Sequence, residues 1–198
     1  MAAPLQFWFD LASTYSYVAA LRIERACAST SVPLVWKPFL LGPIFSQQLG
    51  ISDSPFNANP VRGHYMWRDL ERLCAKYGLS WRRPSVFPRN SVVAARVACA
   101  GATEGWEPQF VRAAFCANFA EDRDIADPAT LKGLLTELAV EPGPALERAG
   151  SPEVRAQLRA NTAEAMQIGI FGAPSYVVSG ELFFGQDRLE DAVGWASQ

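Results

Sequence analysis

An aromatic, apolar run, Leu5-Gln6-Phe7-Trp8-Phe9, passes through Asp10 straight into a helical pattern that begins at Thr14. This junction constrains the fold more than any other stretch. The run is too short for a helix and reads as a buried strand. From Thr14 to Ala28, apolar Tyr17, Val18, Leu21 and Ala28 are set among Arg22, Glu24 and Arg25 at helical spacing. Leu34-Val35-Trp36, closed by Pro38, begins a second strand. A β-α-β opening of this kind makes a parallel pair with a right-handed crossover. Strand character returns only after Pro174, where Tyr176-Val177-Val178 and Leu182-Phe183-Phe184 flank Ser179-Gly180-Glu181 as a hairpin. Asp187 to Trp195 ends the chain as a helix, with Asp187 and Glu190 at capping-box spacing.

Between these two ends the pattern is helical. Leu40 to about Pro60, with Gly42-Pro43, Gly50, Pro55 and Pro60, reads as a long functional loop or lid. Helices are expected at Arg62 to Tyr77, Ser91 to Ala102, Pro108 to Phe119, Pro128 to Ala139 and Pro152 to Ile168. Asp127-Pro128 and Ser151-Pro152 each set a capping residue before a proline, and Gly169 closes the last helix. The order is β-α-β, a helical block, then β-β-α. We divide it at residues 1–60, 61–161 and 162–198, the middle piece being a helical insertion into a domain formed by the outer two.

Composition narrows the partners. The 198 residues are 49% hydrophobic and 19% charged, with a formal net charge of -2. That balance gives no electrostatic footprint for nucleic acid or an anionic membrane. No basic run precedes a long apolar segment at the N-terminus, and no stretch is long enough to span a bilayer. Cys27, Cys74, Cys99 and Cys116 form no CxxC and no metal-ligand spacing, so no metal site is expected. They read as buried, reduced thiols of a cytoplasmic protein.

Ser13 opens the first helix. Its simplest role is an N-cap, worth about 1 kcal/mol. A helix N-terminus also presents free N–H groups and partial positive charge, which favour an anion such as a thiolate. His64 is the only histidine, and there is no GxSxG elbow, so a serine hydrolase is a poor reading. Asp187 could cap its helix, or accept from a ligand ammonium beside backbone N–H groups. Asn57 and Arg62 flank the long loop, where a cation could meet a small-molecule carboxylate. Trp8 and Tyr15 are near enough to Ser13 in sequence to wall an apolar substrate pocket.

These motifs together resemble a known family. Phe7-Trp8-Phe9-Asp10-Leu11-Ala12-Ser13-Thr14-Tyr15-Ser16-Tyr17 is similar to the start of 2-hydroxychromene-2-carboxylate isomerases and the related kappa-class glutathione transferases. The similarity continues through Leu41-Gly42-Pro43-Ile44-Phe45, Ser54-Pro55-Phe56-Asn57 and Gly63-His64-Tyr65-Met66-Trp67-Arg68-Asp69-Leu70. It resumes at Phe171-Gly172-Ala173-Pro174 and Phe184-Gly185-Gln186-Asp187-Arg188-Leu189.

The resemblance implies an α/β, thioredoxin-like fold with an inserted all-helical domain, related to DsbA but without CxxC. It implies glutathione as cofactor, a small aromatic substrate and a homodimer. Ser13 would hold the glutathione thiolate, and Ala173 with Pro174, at the position where such folds carry a cis proline, would meet the cysteinyl part. Gln186 and Asp187 would bind the γ-glutamyl end, with Asn57 and Arg62 contributing to glutathione or substrate. Thr14, Arg62 and Gln186 stand where the family usually has Pro, Lys and Asn or Ser, and Asp53-Ser54 where a ligand-contacting Asn is expected. The implied activity is cis–trans isomerisation of 2-hydroxychromene-2-carboxylate or an analogue. A kappa-like transferase or peroxidase and a non-catalytic glutathione-binding protein are the alternatives.

Overall fold

Alternation along the first strand decides where the two apolar layers lie. The computed structural model describes residues 2–28 and 30–198. In β1 (Leu5–Phe9), Phe7 and Phe9 face one side of the sheet, while Trp8 faces the other. Phe7 stacks on Phe9 and Tyr176, at 5.1 and 5.7 Å between ring centroids, and meets Trp36 edge-on. β2 (Leu34–Pro38) pairs parallel to β1, with α1 (Thr14–Ala28) as the crossover between them. β3 (Ser175–Val178) is antiparallel to β1, and β4 (Glu181–Phe184) antiparallel to β3, giving the order β2-β1-β3-β4. Ser179 and Gly180 between them both have positive φ, 50° and 86°, as a tight type I′ hairpin requires.

The stretch expected as a loop from Leu40 to Pro60 is instead largely helical. It forms α2 (Leu41–Leu49), ended by Gly50 at φ 66°, and the single turn α3 (Pro55–Ala58). Gly42-Pro43 hides the first of these in the sequence, yet a proline in a first turn costs no hydrogen bond. Next come α4 (Pro60–Tyr77), α5 (Val92–Gly101), α6 (Glu107–Phe119) and α7 (Pro128–Glu137), then α8 (Pro142–Ala149) and α9 (Pro152–Gln167). Asp127 accepts from Ala129 and Thr130 N–H, and Ser151 from Val154 N–H, so both expected caps form. Gly63 allows α4 to touch α3, since a Cβ there would sit 2.4 Å from the Phe56 carbonyl oxygen.

Three local readings need correction. α8 lies in a stretch where no helix was expected, because its Pro142-Gly143-Pro144 start has the look of a loop. Residues 79–90, inside the block read as helical, are irregular and include a cis Phe87–Pro88 bond. Asp187 caps nothing: a 3₁₀ turn (Gln186–Arg188) precedes α10 (Leu189–Ala196), which starts without a side-chain cap. Among the described residues no helix is long and apolar enough to cross a membrane. All four cysteines are free. Burial pushes the Cys27 and Cys74 thiols up to about 11 and Cys99 up to about 12.

Candidate active site

The turn between β1 and α1 is held from several sides. Ser13 N–H donates to the Asp10 carbonyl at 2.8 Å, which closes the turn. Ser13 Oγ accepts from Ser16 N–H at 3.3 Å, the N-cap bond its position calls for. The same oxygen donates to the Ala173 carbonyl at 3.0 Å, across the fold. Ala173–Pro174 is a cis peptide bond. Gly185 N–H donates to the Pro174 carbonyl at 3.0 Å, so this loop is tied to the end of β4. Ser13 therefore caps its helix and bridges to the facing loop.

A cleft of about 1220 Å³ opens over this bridge. Its walls are mainly apolar and include Phe45, Phe56, Phe87 and Phe171. First-turn residues of α1, α2, α4 and α5, namely Thr14, Leu41, Arg62 and Val92, also face it. A second pocket of about 390 Å³ adjoins it, lined by Asp69, Pro174, Gln186 and Asp187 among others. Tyr15, Ala173 and Phe184 line both spaces and form the seam between them. Tyr15 Oη donates to Asp69 Oδ2 at 3.1 Å, and burial together with that carboxylate holds the phenol protonated.

Of the residues expected at the site, Ser13, Tyr15, Arg62 and Ala173 line the main cleft, and Pro174, Gln186 and Asp187 the second pocket. Arg62 forms no ion pair among the described residues and lies 6.0 Å over the Phe56 ring. Gln186 is buried and its Oε1 accepts from Arg22 at 3.0 Å, whereas Asp187 is exposed. Two residues fall elsewhere. Trp8 does not wall the cleft: it is fully buried against Phe39, Ile44, Ala165 and Ile170, because strand alternation turns it to the opposite face from Phe7 and Phe9. Asn57 lines neither space. Its amide donates to the Asp53 carboxylate and, at 3.0 Å, to the Phe87 carbonyl, fastening α3 to the irregular segment.

Sequence reading missed the floor of the cleft. Asp10 is 4% exposed and accepts from Ala12 N–H at 2.9 Å, Leu41 N–H at 2.8 Å and Ser91 Oγ at 2.6 Å. One carboxyl thus joins the Ser13 turn to the starts of α2 and α5. Burial raises its pKa, against which these three hydrogen bonds act. Behind the turn, Asn118 Nδ2 donates to the Leu11 carbonyl at 3.0 Å, and Arg89, ion-paired with Asp122, holds Asn118 in turn. The signal for Asp10 was present in its place at a strand end, three residues before Ser13. Nothing local marked Ser91.

Fold and site define a thioredoxin-fold protein with helices inserted between the halves of its sheet, and with the Ser13 hydroxyl at the turn from β1 into α1. The DSBA-like thioredoxin domain matches residues 4–194, and the chain belongs to that family. It is 27% identical over 193 residues to a 2-hydroxychromene-2-carboxylate isomerase of Sphingobium xenophagum, a match covering 96% of each chain. It is 26% identical over 210 residues to glutathione S-transferase kappa 2 of Caenorhabditis elegans, covering 98% of this chain and 92% of that one. A solved structure of a 2-hydroxychromene-2-carboxylate isomerase superposes with a TM-score of 0.83 at 21% identity, over 96% of this chain and 94% of the other. That last likeness speaks for the fold alone.

Proposed function

We propose that this protein is a glutathione-dependent cis–trans isomerase of 2-hydroxychromene-2-carboxylate or a related aromatic-degradation intermediate. The observation that carries this reading is the Ser13 hydroxyl, placed at the first turn of α1 and hydrogen-bonded across the cleft to Ala173. The residues present fit glutathione. Two carboxylates line the second pocket, Asp69, paired with Arg72 at 3.2 Å, and Asp187, 3.7 Å from Arg188, and their remaining acceptor positions suit an ammonium. Ala173 sits between the two spaces, where a main-chain contact to a peptide is available. Arg62, without an ion pair, suits a carboxylate of glutathione or of the substrate. When bound, glutathione would supply a thiolate able to add reversibly to a conjugated double bond.

The chain's own part is to bind, orient and stabilise. Ser13 Oγ turns its proton from the Ala173 carbonyl to a sulfur anion, while the first turn of α1 supplies N–H groups and partial positive charge. The apolar walls exclude water and hold a ring. The family resemblance supports a homodimer and the four free thiols a cytoplasmic protein; light scattering of the purified chain checks the oligomer.

The test mixes enzyme, glutathione and 2-hydroxychromene-2-carboxylate and follows both isomer and free thiol. Isomerisation without net loss of thiol is expected. Ser13→Ala should fold and lose about 10²–10³-fold in kcat, the usual effect of deleting one such donor. Full turnover in Ser13→Ala would remove Ser13 from the mechanism. The relative from Caenorhabditis elegans favours a second reading, a kappa-like transferase or peroxidase. Consumption of thiol with a chlorinated aromatic electrophile would select it.

A further inference from the structure

Phe171 and Phe184 belong to none of the hydrophobic cores of the molecule. They are 49% and 44% exposed, and among the described residues their only ring partner is each other, at 4.5 Å between centroids and 55° between planes. Both line the main cleft, on the wall formed by the loop that faces Ser13. Their placement is built rather than incidental. A Cβ on Gly172 would fall 2.6 Å from Phe184 Cε2, so this ring lies over the loop only because residue 172 has no side chain. The register of β4 on β3 sets Phe184 opposite Ser175, and the Gly185–Pro174 bond fixes the strand end. Two half-exposed rings in mutual contact thereby line the same cleft as Ala173, whose carbonyl accepts a hydrogen bond from Ser13 Oγ.

We infer that the Phe171–Phe184 pair is the platform on which a planar aromatic ring stacks beside Ser13, and that it sets a preference for aromatic over aliphatic unsaturated substrates. This rests on the reading that the main cleft receives the second substrate. Aromatic rings prefer tilted or offset contact with one another, beyond what their apolar area gives. Glutathione has no ring to offer. Phe184 stands on the seam between the two spaces, but Phe171 borders the main cleft and not the second pocket, so the Phe171 face serves the space where the second substrate goes.

The test uses two conjugated acids of equal charge, cinnamate and sorbate, of which only the first ends in a ring. Binding to the full chain is measured by calorimetry, with no turnover required. The wild type should bind cinnamate about 10-fold more tightly than sorbate, the upper end of an aromatic pair's selective contribution. Phe171→Leu and Phe184→Leu keep apolar bulk and should bring the ratio close to one, through loss of cinnamate affinity. Gly172→Ala should do the same while keeping both rings, by displacing Phe184. Equal affinities in the wild type, or an unchanged ratio in all three variants, overturns the platform. Glutathione is titrated separately. If it fails to bind while the acids behave as expected, the function proposed above falls and the platform stands; the reverse result removes the platform alone.

Discussion

Helix α5 has a buried carboxyl group near each end, and the molecule treats the two differently. Near the first turn, at the cleft, Asp10 is 4% exposed and accepts from two backbone N–H groups and the Ser91 hydroxyl. Beyond the last turn, Glu107 is 6% exposed, close to Cys99, and its Oε1 has no hydrogen-bond partner among the described residues. Burial raises the pKa of both, and pushes that of Glu107 up to about 8. Desolvation is common to the two; donors are not. The polar partners are gathered where three helix starts must be held around a site, and the far end of α5 is left sensitive to protonation.

That contrast can be broken at either end. Asp10→Ala should have the largest effect, because it strands three donors in a buried place. A loss of about 3 kcal/mol or more is expected, at roughly 1–3 kcal/mol for each of the three unsatisfied groups, read as a fall in Tm of roughly 10 °C. A stability near wild type would mean that the three donors find other partners. Ser91→Ala removes a single bond to the same carboxyl and should cost about 2 kcal/mol by chemical denaturation, with the m-value unchanged. Glu107 predicts a slope instead of a step. A carboxyl with a folded pKa raised to about 8 binds its proton more tightly folded than unfolded, so its contribution to stability falls as pH rises from about 4.5 to about 8. Glu107→Gln should remove this slope, at most about 1.4 kcal/mol per pH unit. Parallel stability curves for Glu107→Gln and wild type would show that the group is neutralised by some other means.

Which parts of this were legible in the sequence follows from how local the cause is. The limits of β1 and α1, Leu5–Phe9 and Thr14–Ala28, can be read directly, since a short apolar run and a helical period need nothing beyond their own residues. The Asp127 and Ser151 caps, each beside a proline, are equally local. Gly and Pro mislead where they sit inside first turns, which concealed α2 and α8. Trp8 was misplaced because nearness to Ser13 in sequence ignores the two faces of a strand. At the site, Ser13 and the loop at Ala173 are marked by their motifs. The Asp10–Ser91 bond spans 81 positions, and no pattern along the chain could announce it.

The four thiols carry a last consequence. None of them borders the cleft, and burial raises the pKa of each, so that each stays a protonated, weakly nucleophilic sulfur. Ser13 brings an oxygen, not a sulfur, to the cleft. A protein arranged this way can receive a reactive electrophile in its cleft without becoming the first molecule it alkylates. Under the function proposed above, its working life would then depend on the supply of glutathione and not on the number of turnovers it has survived.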